Sequence, residues 1–339
     1  MTKTRKIVTA VIAVLCAILL VIGLTLLFVI GIPAAQFSSK VENVQLQPVS
    51  QSGEGGDRIH FMNTGSSDAI LLECDGHFAL IDAGEDTDNP RGFEALELEG
   101  FEDRVLAYLK EHAADENGQV YLDFVVGTHC HSDHLGGFDT IFADDAVTAG
   151  RAYLKVYDSS KIKEKEVEEW DNQEVYDQMV NALQARNIPI VSEPDGTPFT
   201  LGNFTITLFN TDDPETDEKV GENDQSLGVL VEKNGTRVFL AGDIDSYSGD
   251  EARLAPEIGD VDLLKVGHHS YVMSSTRKFI KTLSPETCVI TNNYESLHKP
   301  VSAYIQYLCD PDFLLTGREN GIVAVIGDNG QIDYYNDIH

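Results

Sequence analysis

Basic residues are scarce in this chain: 24 lysines and arginines stand against 56 aspartates and glutamates in 339 residues, for a formal charge of −32. Lys3, Arg5 and Lys6 fall within the first six positions, so −32 less those three positive charges leaves the remainder at −35. A body so acidic repels polyanions at long range, which ranks nucleic acid low as a partner, although a bound cation reverses the field locally. Cysteine is sparse too. Its five copies, Cys16, Cys74, Cys130, Cys288 and Cys309, share no close spacing and spell out no disulfide framework. No repeat of fixed period and no low-complexity tract is present, which argues against solenoids and propellers.

The longest absence is of charge itself. Residues 7–32 form a run of 26 without one, longer than the ~20 apolar residues that cross a bilayer core. A signal peptide has a shorter apolar core, ~7–15 residues, and Pro33-Ala34-Ala35 makes a poor cleavage site, so a retained spanning helix is expected. Basic residues precede the span and none directly follows it, which predicts a single-pass cell-membrane protein with its body outside the cytoplasm. The expected organisation is a basic stub and anchor at 1–33, a Ser-, Gln- and Gly-rich tether at 34–56, and one domain at 57–339.

Within that domain, strands and helices alternate. Residues 59–62, 69–73 and 78–81 read as a three-strand meander, with turns at Gly65 and Asp75-Gly76. Apolar residues at Phe93, Leu96, Val105, Leu106 and Leu109 suit an amphipathic helix over at least the second half of 92–112, leading into a strand at 121–126. One or two helices are expected over 161–186. Further strands are expected at 204–208, 227–231, 238–240, 263–266, 289–291 and 322–326, with helices over 275–283 and 301–308. This interleaving fits a layered α/β sandwich flanked by helices.

The chemistry concentrates at Gly127-Thr-His-Cys-His-Ser-Asp-His-Leu-Gly-Gly137, directly after an apolar strand. His129, His131, Asp133 and His134 lie within six residues there, a density that packing does not require. At a strand exit, His129 and His131 can face one point while Asp133 and His134 turn toward a neighbouring one. Two divalent ions would use all four, and imidazole with carboxylate suits zinc or manganese. Downstream, the strand before Gly242-Asp243 places a carboxylate at its terminus, where it can bridge two cations. The strand at 263–266 likewise runs into His268-His269, of which one supplies the remaining ligand; His268 is favoured, and spacing leaves His269 open.

With these blocks in order, the sequence resembles the metallo-β-lactamase superfamily, whose HxHxDH pattern falls on His129, His131, Asp133 and His134. Ile81-Asp-Ala-Gly84, Gly242-Asp243 and His268-His269 are further matches, so the resemblance covers roughly 59–326 and implies an αββα sandwich behind one transmembrane helix. Residues 61–71 and 223–230 look like blocks of the competence-protein (DNA-uptake) branch, and residues 268–285 resemble the pneumococcal phosphorylcholine esterase domain, which acts on cell-wall teichoic acid. Many superfamily members carry a third first-metal histidine after the HxHxDH block; here residues 135–267 contain no histidine.

What the resemblance implies is a dinuclear hydrolase with two divalent ions, Zn2+ or else Mn2+. The first ion would take His129, His131 and Asp243; the second would take Asp133, His134, Asp243 and His268. Asp133 and Asp243 are the expected catalytic carboxylates, acting on metal-activated water. Asp82 is expected to brace the loop beneath the site, with Asn223, Ser226 and His269 outside the ligands or against substrate. Trp170, Tyr153, Tyr157 and Tyr176 are candidates to frame a cleft, and Tyr271 to stand at its mouth. The expected activity is cleavage of a phosphodiester in a small head group or cell-envelope polymer. A DNA-uptake nuclease ranks second, since its channel-forming helices are not in this sequence, and a non-catalytic binding module ranks third.

Overall fold

Short apolar strands and amphipathic helices build two sheets with helices on their outer faces, and the computed structural model describes residues 3–51, 56–87, 99–212 and 218–336. The strands of the first part are β1 (Gln47–Pro48), β2 (Asp57–Phe61), β3 (Ala69–Cys74), β4 (His77–Ala83), β5 (Val120–Leu122), β6 (Phe124–Gly127), β7 (Val147–Ala149), β8 (Ala152–Leu154) and β9 (Ile190–Val191). Those of the second are β10 (Phe199–Leu201), β11 (Phe204–Phe209), β12 (Gly228–Lys233), β13 (Thr236–Leu240), β14 (Leu263–Lys265), β15 (Thr287–Ile290), β16 (Asp312–Leu315), β17 (Ile322–Ile326) and β18 (Ile332–Asn336). One sheet runs β1-β18-β17-β2-β3-β4-β6-β8-β9 and the other β10-β11-β12-β13-β14-β15-β16.

Both sheets mix antiparallel and parallel pairs, and at the edge of the first, β1 adds parallel to β18. The meander β2-β3-β4 is antiparallel, and β4, β6, β8 and β9 are then parallel. In the other sheet β10 to β13 are antiparallel, while β13 to β16 are parallel. Side chains of both sheets interdigitate in a central core that includes Ile59, Ile81, Val126, Val229, Leu240 and Leu263. Strand β6, Phe-Val-Val-Gly, is buried at every position, as a parallel strand covered on both faces must be.

Among the described residues the α-helices are α1 (Lys3–Leu26), α2 (Ile32–Asn43), α3 (Glu102–His112), α4 (Ser132–Leu135), α5 (Phe138–Ala143), α6 (Glu164–Glu169), α7 (Asn172–Ala185), α8 (Asp250–Ile258), α9 (Arg277–Leu283), α10 (Lys299–Cys309) and α11 (Thr316–Glu319). Helices α3, α5 and α7 cover the first sheet through Leu109, Phe142 and Leu183. Helices α8, α9 and α10 cover the second through Leu254, Phe279 and Ile305. The αββα sandwich is therefore present, and one N-terminal helix is apolar enough to cross a membrane.

Two expectations change, and a third is met as far as the described residues reach. The strand expected at 121–126 is split at Asp123, whose carboxylate accepts from Phe78 N; β5 leaves to pair with β7, and β6 stays in the main sheet. The helix expected from 92 is present as α3; its beginning, with Phe93 and Leu96, lies outside the described residues. The tether expected from residue 34 is helical through Asn43, in α2, and it is docked. Phe37 and Val41 are each 1% exposed in the core beneath α10. Burying such side chains contributes ~1.5–3 kcal/mol each, more than the helix gains from swinging free.

Candidate metal centre

The site lies where both parallel halves end, outside the carboxyl ends of β4, β6, β13, β14 and β15, as crevices in α/β sheets generally do. Strand β6 exits through Thr128 into His129 and His131, and the short α4 that follows carries Asp133 and His134. The Gly136-Gly137 pair is steric: a Cβ on Gly137 would collide with the Ala83 carbonyl, so the loop could not close against β4. Strand β13 ends ahead of Gly242, whose φ of +51° turns the chain so that Asp243 enters the site. After β14, His268 and His269 both take left-handed φ, +50° and +46°, and the backbone curls instead of alternating.

Two pairs of imidazole nitrogens face each other: His129 Nε2 and His131 Nδ1 at 3.0 Å, and His134 Nε2 and His269 Nε2 at 3.2 Å. The rings of His129 and His134 are 4.2 Å apart, so the pairs adjoin. Asp243 Oδ1 is 3.3 Å from His134 Nε2 and 3.4 Å from His269 Nε2, while Asp133 Oδ2 is 3.4 Å from His269 Nε2. Asp133, His134, Asp243 and His269 thus converge on one point.

Every imidazole is gripped by its outer nitrogen. His134 Nδ1 donates to Asp82 Oδ2 at 2.7 Å, and His269 Nδ1 donates to Thr291 Oγ1 at 3.1 Å, which in turn donates to Asp68 Oδ1 at 2.6 Å. His131 Nε2 donates to Glu166 Oε1 at 3.1 Å, and His129 Nδ1 to Thr128 Oγ1 at 3.1 Å, which donates to Asp82 at 2.8 Å. These partners assign tautomers that leave all four lone pairs pointing inward, the arrangement by which outer partners prepare histidine for metal.

The residues fit a pair of divalent cations. Ligands ~2.0–2.1 Å from a tetrahedral zinc stand ~3.3 Å from one another, close to the spacings here. Asp243 Oδ1 is buried without a hydrogen-bond partner amid surrounding nitrogens. Burial opposes a charge on His134, yet Asp243, Asp82 and Asp133 raise its pKa well above the ordinary value. Carboxylates that hold that proton would equally hold a cation in its place.

Of the two adjacent histidines, His269 closes the four-residue cluster. His268 Nε2 stands 4.0 Å from Asp243 Oδ2 and 3.3 Å from Asn223 Nδ2, on the pocket side. Asp82 braces Thr128 and His134, while buried Ser226 accepts from Asp243 N at 3.2 Å. Among the aromatic candidates, Trp170 stacks on His131 at 4.4 Å, whereas Tyr153 and Tyr157 are buried in the core. Tyr271 lies edge-on to His268 at 5.5 Å. A pocket of about 330 Å³ opens here, lined by His131, Glu166, Trp170, Asn223, Tyr247 and His268 among others.

Sequence reasoning missed Asp68, Lys265, Thr291 and Glu166. Lys265 is fully buried, bonded to Asp68 and to the Gly242 carbonyl at 2.9 Å, and 3.7 Å from Asp243 Oδ1. Burial opposes its charge, but Asp68 and Asp243 keep it protonated. A lysine inside the apolar run Leu263-Leu-Lys-Val266 was the available signal, because a buried ammonium requires a partner.

Paired imidazoles sharing a carboxylate at the carboxyl ends of an αββα sandwich define a metal-dependent class of fold. Residues 78–273 match the β-lactamase superfamily domain, and the chain belongs to the metallo-β-lactamase superfamily, whose members are generally metal-dependent hydrolases. ComE operon protein 3 of Bacillus subtilis (strain 168) is 26% identical over 190 residues, which is 55% of this chain and 22% of that protein. Among solved structures, the metallo-β-lactamase fold protein YhfI of Bacillus subtilis aligns with 77% of this chain and 97% of its own at 14% identity and a TM-score of 0.47. Zn(2+)-bound PqqB of Methylobacterium extorquens aligns with 73% of this chain and 84% of its own at 13% identity and a TM-score of 0.40.

Proposed function

We propose that this chain is a membrane-anchored, extracytoplasmic phosphodiesterase that acts on a head-group or teichoic-acid-type substrate with two divalent ions, zinc or manganese. The observation that carries the reading is the composition of the pocket beside the paired imidazoles. Trp170 and Tyr247 offer aromatic faces, and the acids Glu166, Glu169, Glu222, Asp224 and Asp245 outnumber Lys163 and Lys165 in the lining. Tyr247 is 61% exposed and already carries a cation, the Lys163 ammonium 3.2 Å from its ring centre. Such a pocket suits a small cationic group next to a phosphoryl centre, and each good cation–aromatic contact contributes ~0.5–2 kcal/mol.

His129, His131 and Asp243 would hold one ion; Asp133, His134, Asp243 and His269 would hold the other. Ions held there supply Lewis acidity toward a phosphoryl oxygen and lower the pKa of water toward ~7 in the case of zinc. The chain's own part is geometric. Asp82, Asp68 and Thr291 fix the imidazoles, and Asn223 with His268 presents hydrogen-bonding groups to the pocket. A DNA-uptake nuclease is the second reading, favoured by the likeness to ComE operon protein 3.

The test is kcat/KM of the purified metal-loaded protein on phosphorylcholine esters, single-stranded DNA, generic aryl phosphodiesters and a chromogenic β-lactam. The expected result is preference for phosphorylcholine esters. Preference for single-stranded DNA under matched metal and salt would move the assignment to nuclease, and no hydrolysis of any of them would remove the enzyme reading.

A further inference from the structure

We propose that helix α10 lies in the outer interface of the bilayer that α1 crosses, with Tyr304 and Tyr307 at head-group level, so that the body is pinned to the membrane. The inference rests on the anchor reading above. As a helix, residues 7–32 would measure ~39 Å at ~1.5 Å per residue, whereas the hydrocarbon core takes up only ~30 Å. A helix entering the core near Ile7 therefore leaves it about 20 residues later. That is where α1 gives way to a π-helical turn, Leu27–Gly31, and this turn packs against α10. Helix α10 accordingly stands at the depth where the span emerges.

The composition of α10 agrees with that depth. Its sequence, KPVSAYIQYLC, contains no acid in a chain that carries 56 of them. Ile305 and Leu308 turn inward to the core they share with Phe37. Tyr304 and Tyr307 stack with centroids 6.4 Å apart, and Tyr307 is 45% exposed. At one end of the helix the Lys299 ammonium sits 4.0 Å from the Tyr294 ring centre. Tyrosine and lysine are the side chains that a membrane interface favours, presenting an apolar body and a polar tip.

The attachment is rigid. Lys40 on α2 bonds the Pro311 carbonyl at 2.6 Å and Asp310 at 2.9 Å, and Tyr294 Oη donates to Ser38 Oγ at 3.0 Å. The span, α2 and α10 therefore move as one piece.

The experiment uses the full chain in liposomes containing lipids brominated near the head group. Trp170 is the native tryptophan, so Tyr307→Trp adds one emitter on α10, and Tyr121→Trp adds one on β5, in the opposite helix layer. The added emission at 307 is expected to fall roughly twofold and shift to the blue, and that at 121 to do neither. Equal quenching at both positions, or at neither, in protein that resists carbonate extraction overturns the interface while leaving the anchor. Release by carbonate removes the anchor reading and this inference with it.

Discussion

The two imidazole pairs are gripped in different ways. His134 and His269 rest on Asp82 and on Thr291 with Asp68, and Asp68 is neutralised by Lys265; all of these are buried to within 1%. His129 and His131 rest on a threonine hydroxyl, on Trp170 and on Glu166, whose side chain is 17% exposed at the pocket wall. The inner pair's partners have no access to water, and His129 shares Asp82 with them through Thr128, whereas Glu166, the partner of His131, reaches the pocket wall.

The largest effect should come from Asp243, the carboxylate proposed to serve both ions. Asp243→Ala is expected to take bound metal from about two equivalents to below one, with a rate loss beyond the ~10–100-fold typical of an outer partner. Elemental analysis of loaded protein checks it, and retention of two equivalents would dissolve the comparison. Next comes the buried pair. Asp68→Ala takes from buried Lys265 its nearest carboxylate and leaves it only the more distant Asp243 and the Gly242 carbonyl; breaking a buried pair typically costs about 3–5 kcal/mol, and adding Lys265→Met should restore much of the loss in urea unfolding. If the single and double variants are equally unstable, the inner grip is not electrostatic.

Glu166→Gln tests the outer pair. Affinity for one ion is expected to fall ~10-fold and for the other to stay, because only His131 loses a charged partner. Metal titration by calorimetry reads the two steps, and an equal loss in both would mean that the halves are not separable. The smallest effect concerns the loop that carries His268 and His269. Glu251 is buried and accepts from Ser275 N and Thr276 N, and burial pushes its carboxyl up to about 7 despite those donors. The folded state thus holds this proton more tightly than the unfolded one. Its contribution to stability is full below the ordinary 4.5 and lost as pH rises through about 7. Glu251→Gln should therefore gain on the wild type in melting temperature between pH 5 and pH 8.

Legibility in the sequence follows the same division. His129, His131, Asp133 and His134 could be read because one buried strand, β6, delivers them in sequence. The sandwich itself was readable from alternating strand and helix patterns. The Thr291 bond to Asp68 joins positions 223 apart, and no local pattern announces it. Which of His268 and His269 turns inward depends on consecutive left-handed residues, where alternation gives no guide. Asp123 broke an expected strand through a contact with Phe78 that lies 45 positions away. The tether misread had the same root: Ser, Gln and Gly spoke for flexibility, while Phe37 and Val41 at helical spacing spoke for packing and prevailed.

The distance between His134 and His269 along the chain has a consequence for durability. They are 135 positions apart, and one belongs to each sheet's half of the sandwich. The five cysteines are free, so no covalent stitch crosses that seam. A cation gripped by both histidines closes the loop between them, and by chain entropy alone such a closure is worth on the order of 5 kcal/mol. Such an ion would act as a removable clasp, and chelation would loosen the seam as reduction loosens a disulfide-bonded protein.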